Sequence, residues 1–173
     1  MRLYDGRLRN WDYVVVDDRV PVKEDGSPYF GKPNGNEMWA VILEKAFAKW
    51  CGSYAALSGG FGVWAWEALT GDAVFRLELD TKEGTWERWD LVHPKEGAAR
   101  RAVRFRATGE KHNDIKTYRL VKRYIERGAL VAASISNAGE AKRSDGLVAG
   151  HLYSVLDVRT QGWIVRGLGL LGV

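Results

Sequence analysis

The feature that most constrains this chain is the change from helical to extended periodicity at Gly128. Ile115, Tyr118, Leu120, Val121, Tyr124 and Ile125 recur at helical spacing over residues 114–127, and Gly128 ends the pattern as a C-terminal glycine does. The run that follows, Ala129-Leu130-Val131-Ala132-Ala133-Ser134-Ile135-Ser136, is apolar and of strand length, so a buried strand is expected there. Residues 137–146 are polar and read as a mobile loop. The chain therefore commits to a helix feeding a strand, with a second strand beyond the loop.

That second strand carries the chemistry. In Gly146-Leu147-Val148-Ala149-Gly150-His151-Leu152-Tyr153-Ser154-Val155-Leu156-Asp157, a histidine stands at the mouth of an alternating segment with glycine immediately before it. Gly150 removes side-chain bulk beside the ring, so the imidazole of His151 can face a cleft while Leu152, Ser154 and Leu156 alternate with Tyr153, Val155 and Asp157 across the pleat. A histidine held by a rigid element and approached through an open one suits a general base. The plainer alternative is a strand-start histidine satisfied by backbone carbonyls.

Upstream, the β-branched and aromatic residues 11–16 read as a strand closed by Asp17-Asp18-Arg19-Val20-Pro21. A turn over residues 23–28 and a short return at Tyr29-Phe30 then predict a β-hairpin. Asn36 is placed to cap a helix whose stripe is Trp39, Ile42, Leu43, Ala46, Phe47 and Trp50, read as core-facing. Residues 63–69 fit a short helix or a strand, residues 74–79 alternate as a half-buried strand, and residues 85–92 are aromatic but of unclear type. The glycines of Ser58-Gly59-Gly60-Phe61-Gly62 are not a phosphate loop, because no Lys-Ser or Lys-Thr pair follows them. Residues 162–166 read as the neighbour of the His151 strand.

Several segments taken together resemble the second half of the papain-like catalytic core of the calpains, the calcium-regulated cysteine endopeptidases. They are Trp11-Asp12-Tyr13-Val14-Val15-Val16-Asp17-Asp18-Arg19-Val20-Pro21; Asn36-Glu37-Met38-Trp39 leading into Leu43-Glu44-Lys45-Ala46-Phe47-Ala48-Lys49; Gly52-Ser53-Tyr54 with Leu57-Ser58-Gly59-Gly60 and Leu69-Thr70-Gly71; Gly128-Ala129-Leu130-Val131-Ala132-Ala133-Ser134-Ile135; and the His151 strand. The resemblance implies an α+β fold, with antiparallel strands packed on two main helices, and residues 1–173 as a single calpain-like subdomain. It also implies that His151 is the catalytic base toward a cysteine carried by a preceding, cysteine-bearing half that lies outside this chain.

A papain-like thiol protease needs a cysteine thiolate at a helix N-terminus, a paired histidine, and an amide that fixes the histidine tautomer. Cys51 is the only thiol, and its setting Lys49-Trp50-Cys51-Gly52-Ser53-Tyr54 is similar to the end of a family helix rather than to the nucleophile turn, so a structural role is expected. No asparagine occurs after Asn137, and Gly167 or Gly169 stands where the family places its orienting amide. The isolated polypeptide is therefore expected to be inert toward peptides.

The family's calcium loop is expected beyond the last residue. Asp17, Asp18, Asp25 and Asp145 lack calcium-loop spacing, and His93, His112 and His151 are too dispersed to suggest a metal site. No metal or other cofactor is expected.

A different class of reading is a degenerate, non-catalytic calpain-like module binding other protein subunits. Tryptophans at exposed positions and the apolar tail at residues 168–173 would serve it. Nucleic acid is not an expected partner, since Phe105 is the only aromatic among the basic residues 100–106. Neither is a membrane, because no apolar run reaches spanning length and residues 1–6 lack a signal-peptide core. The hydrophobic fraction of 46%, with eight tryptophans, supports a packed core. One cysteine fits a reducing, cytoplasmic location, and a net charge of +4 permits weak attraction to acidic partners without demanding a nucleic-acid role.

Overall fold

The strand predicted at residues 11–16 is shorter than its pattern and pairs in the other direction along the chain. A computed structural model describes residues 1–59, 62–94, 99–100, 102–135 and 142–160. In it β1 (Arg2–Asp5) and β2 (Asn10–Tyr13) form an antiparallel hairpin with Leu3 opposite Asp12 and Tyr4 opposite Trp11. The Val14 amide donates to the Met1 carbonyl at 2.8 Å and continues the ladder. Tyr29-Phe30 is not the partner: Val22 and Pro28 form an isolated bridge around a turn in which Lys23 N–H donates to Ser27 O. Pro21 and Pro28 each lack a donor, so this segment cannot extend a ladder.

By their contacts the described residues fall into two compact units, one drawn from Met1–Phe75 and Asp90–Arg106, the other from Arg76–Trp89 and Ala107–Val173. In the first, α1 (Trp39–Cys51) and α2 (Gly62–Thr70) bury an aromatic cluster. Residues 63–69 are thus helical, and α2 packs on β1. The α1 stripe faces the core at Ala46, Phe47 and Trp50, with Ile42 and Leu43 half-buried, but Trp39 is 67% exposed, while Val41, outside the stripe, is buried. The helix starts later than Asn36 predicts. Asn34 and Glu37 close a turn through Gly35 at φ +58°, so Met38 becomes the N-cap and makes no side-chain capping bond. At the other end Gly52, at φ +104°, returns its N–H to Lys49 O.

The second unit contains most of β3 (Phe75–Asp80), β4 (Thr85–Val92) and β5 (Arg104–His112), a sheet in the order β3-β4-β5. The connection at residues 81–84 is too short for anything but an antiparallel pair of β3 and β4. Residues 85–92 are therefore a strand, half-buried throughout. Trp86 on β4 donates its indole N–H to Asp114 at 2.8 Å, and the Arg76 guanidinium lies 5.4 Å from the Trp89 ring.

Helix α3 (Asp114–Glu126) matches its sequence pattern, with Arg127 as C-cap and Gly128 at φ +78°. Its N-cap, which periodicity does not reveal, is Asn113, whose side chain accepts the Lys116 N–H at 2.9 Å. Asn113→Ala is expected to destabilise the chain by about 1 kcal/mol. Urea unfolding followed by circular dichroism measures this, and an unchanged midpoint would show the cap to be idle. Beyond α3, β6 (Ala132–Ser134) and β7 (Leu152–Ser154) form an antiparallel pair with Ala133 opposite Tyr153. The run at 129–136 is not the buried strand expected: its ordered core is three residues long, half-buried or exposed, and Leu130 is 59% exposed. The architecture is α+β, with α1 and α3 as the two longer helices and α2 a shorter one among the described residues.

Candidate functional site

His151 belongs to the second unit, immediately before β7, and is exposed. Its local backbone is built by a tight hairpin. Lys142 bridges Val148, Arg143 N–H donates to Leu147 O at 2.8 Å, and Gly146 sits at φ +88° between them. Residues 142–146 of the predicted mobile loop are therefore ordered; residues 136–141 lie outside the described residues. Arg143 pairs with Asp145 at 2.9 Å, and this bond, followed by the Leu147 N–H, holds the Asp145 carboxyl below its usual range.

Gly150 then turns the chain at φ +73° and donates its N–H to Ile135 O at 2.9 Å. A side chain at that φ would be strained, so the glycine gives the turn. His151 N–H points to Val148 O at 3.4 Å, and the Tyr153 hydroxyl accepts the Val148 N–H at 2.8 Å. The His151 and Tyr153 rings meet at 5.2 Å between centroids and 72° between planes. Alternation across the pleat holds, but Leu152 and Leu156 are 41% and 87% exposed, and Tyr153 and Val155 are the half-buried side.

Cys51 is the last residue of α1 in the first unit, half-buried against the aromatic cluster. It stands at the negative end of the helix dipole, where a thiolate gains nothing, which agrees with a packing role. Gly167 and Gly169, the strand predicted at 162–166 and the tail at 168–173 lie outside the described residues.

The remaining histidines are engaged within their own units. His93 Nε2 lies 2.7 Å from Glu67 Oε2 in the first unit, and His112 Nε2 lies 3.1 Å from Glu110 Oε1 in the second. The Glu67–His93 pair was not legible in sequence. Its one trace is Gly6, where any Cβ would meet His93 Nε2 at 2.2 Å. Among the described residues no three histidine, cysteine or carboxylate side chains converge.

The open cleft of about 410 Å³ in the first unit, lined by Val15, Val16, Asp17, Lys45 and Lys49, has its lysines occupied: Lys49 donates to Val15 O at 2.7 Å and Lys45 to Asp17 and Arg19. Arg100 is also turned inward, donating to Trp50 O at 3.0 Å and to Asp12 at 3.2 Å, and so does not join Arg104 and Arg106 in a basic face. The tryptophans are mostly covered; among the described residues only Trp39 is exposed.

The described residues thus form an α+β chain with an exposed histidine at the mouth of a strand, and comparison with known proteins shows its family. The family model described as calpain family cysteine protease matches residues 4–166. The chain belongs to the calpain family, and its α+β fold is that of the family's protease core. It is similar to Calpain clp-1 of Caenorhabditis elegans (34% identity over 152 residues, 86% of this chain and 16% of the relative). It is also similar to Calpain-8 of Rattus norvegicus (34%, 86% of this chain and 17% of the relative) and to Calpain-5 of Mus musculus (36% over 170 residues, 95% of this chain and 22% of the relative). The chain thus spans roughly a fifth or less of the length of these relatives. Among the described residues, no helix is long and apolar enough to cross a membrane.

Proposed function

We propose that this chain supplies the histidine general base of a calpain-like cysteine endopeptidase. His151 takes the proton of a cysteine thiol carried on a segment outside these residues, and the thiolate attacks the peptide carbonyl carbon. The imidazolium then returns the proton to the departing amine. The observation that carries this reading is the exposed imidazole at the mouth of β7, fixed by a glycine turn within the family-matched region. The partner is the cysteine-bearing half of the protease core, and the substrate is a polypeptide. The single thiol suits action in the reducing cytoplasm.

Alone, the 173-residue chain is inert toward peptides, since Cys51 has neither the helix N-terminus nor the setting of a nucleophile. Supplying a cysteine-bearing papain-like half in trans and following a fluorogenic peptide provides the test. Turnover is expected only in the mixture, and His151→Ala is expected to lower it by about 100-fold. Turnover by the chain alone that disappears with Cys51→Ala would sink the proposal. A non-catalytic binding module is the second reading, favoured by glycines at 167 and 169 where the family has its orienting amide. Stable association of the halves with no effect of His151→Ala would select it.

A further inference from the structure

We propose that Tyr153 is the positioning residue for the His151 imidazole. The inference rests on the general-base reading above and assigns the orienting task to a side chain inside the β7 segment. Residues 151 and 153 stand two apart on an extended chain, so their side chains share a face of the pleat. The rings use that placement, meeting at 5.2 Å and 72° in an edge-on contact that restricts the plane of the imidazole.

The same tyrosine also governs the backbone that carries the histidine. Its hydroxyl accepts the Val148 N–H at 2.8 Å, and the Val148 carbonyl in turn faces the His151 N–H at 3.4 Å. The turn from Val148 to His151 is thus held at its start by the Tyr153 hydroxyl, while the ring leans on its end. Cross-strand pairing fixes Tyr153 itself: it lies opposite Ala133, whose methyl leaves that face to the aromatic ring, and Val155 N–H donates to Val131 O at 2.9 Å just beyond. Among the described residues no side chain hydrogen-bonds the His151 imidazole. Among these residues the edge-on contact with Tyr153 is therefore what sets the orientation of the ring.

NMR of the isotopically labelled 173-residue chain tests the placement without any appeal to activity. Cross-relaxation between the His151 and Tyr153 ring protons is expected, with the His151 ring signals displaced by the tyrosine ring current. Tyr153→Leu should abolish that displacement, with amide signals outside residues 142–155 unmoved. Tyr153→Phe should keep it while Val148 amide exchange accelerates. Absence of the ring-to-ring cross-peak in the unsubstituted chain overturns the proposal, whether or not the leucine variant folds.

In the mixture with a cysteine-bearing half, Tyr153→Leu should lower kcat roughly 10- to 100-fold with KM unchanged, and Tyr153→Phe should restore most of the loss. If His151→Ala abolishes turnover while Tyr153→Leu leaves kcat intact, the positioning role is wrong and the general-base reading stands. If His151→Ala has no effect, the general-base reading is the one that fails, and the ring cross-peak still decides the contact.

Discussion

Trp50→Ala is expected to lower the unfolding free energy by about 4 kcal/mol, read from urea unfolding. Trp50 is 5% exposed and belongs to the core cluster of the first unit. Its indole stacks on Trp64 at 5.7 Å with planes 5° apart, and Phe47 meets both rings edge-on at 6.0 Å. Offset and edge-on aromatic pairs add to what area burial alone gives. The indole N–H donates to Asp12 Oδ2 at 2.7 Å, which ties α1 to β2, and the Arg100 guanidinium lies 5.3 Å from the Trp50 ring. Truncation to alanine therefore opens a cavity in a close-packed cluster and removes the indole donor from Asp12. Trp50→Phe separates the two effects, since it keeps much of the volume and loses only the donor; its loss should be about half as large. A Trp50→Ala midpoint within about 0.5 kcal/mol of the unsubstituted chain would show that the cluster collapses without penalty.

The parts of this fold that were legible in sequence are those whose pattern is local. Helix α3 announced itself because its apolar residues recur at helical spacing and Gly128 stops it, even though Ile115 is 61% exposed and Thr117 is its buried residue. The position of His151 was legible because Gly150 and the alternation after it fall next to each other. By contrast, β1 is four residues, two of them charged, and nothing in Arg2-Leu3-Tyr4-Asp5 reads as a strand until Asn10–Tyr13 is laid beside it. Residues 85–92 mix charges with tryptophans because β4 is half-buried along its length, which erases the period-2 signal. The pairing of His93 with Glu67 in the first unit was invisible because the two stand 26 positions apart in sequence. So was the inward turn of Arg100, which in sequence looked like one more residue of a basic run.

Asp5→Ala is expected to destabilise the chain by about 3 kcal/mol at neutral pH, because it strips the Arg7 guanidinium, and Arg100 beside it, of a buried carboxylate partner. Asp5 is 2% exposed and shares the inner face of β1 with the fully buried Leu3. Burial on its own would raise its carboxyl pKa. The Arg7 side chain, donating from Nε at 2.9 Å and from Nη2 at 2.5 Å, and the Arg7 backbone N–H at 3.1 Å outweigh that, with Arg100 Nε adding its charge at 3.4 Å; the net effect holds Asp5 below the usual carboxylate range.

A folded value below the unfolded one means that the unfolded chain binds the extra proton between the two, so stability rises with pH across that interval. The contribution is complete above the unfolded value, roughly 3.9, and is lost as pH falls through the lower folded one. Urea midpoints of the two chains should therefore differ most at pH 7 and converge as the pH drops below about 4. A gap that is the same at pH 7 and pH 3 would mean that the loss comes from shape and not from charge. Because Arg100 contacts Asp5, Asp12 and Trp50, the alanine substitutions at 5 and 50 share a partner, and their combined cost should fall short of the sum by about 1 kcal/mol. Strict additivity would show instead that Arg100 does not transmit between the strand pair and the aromatic cluster.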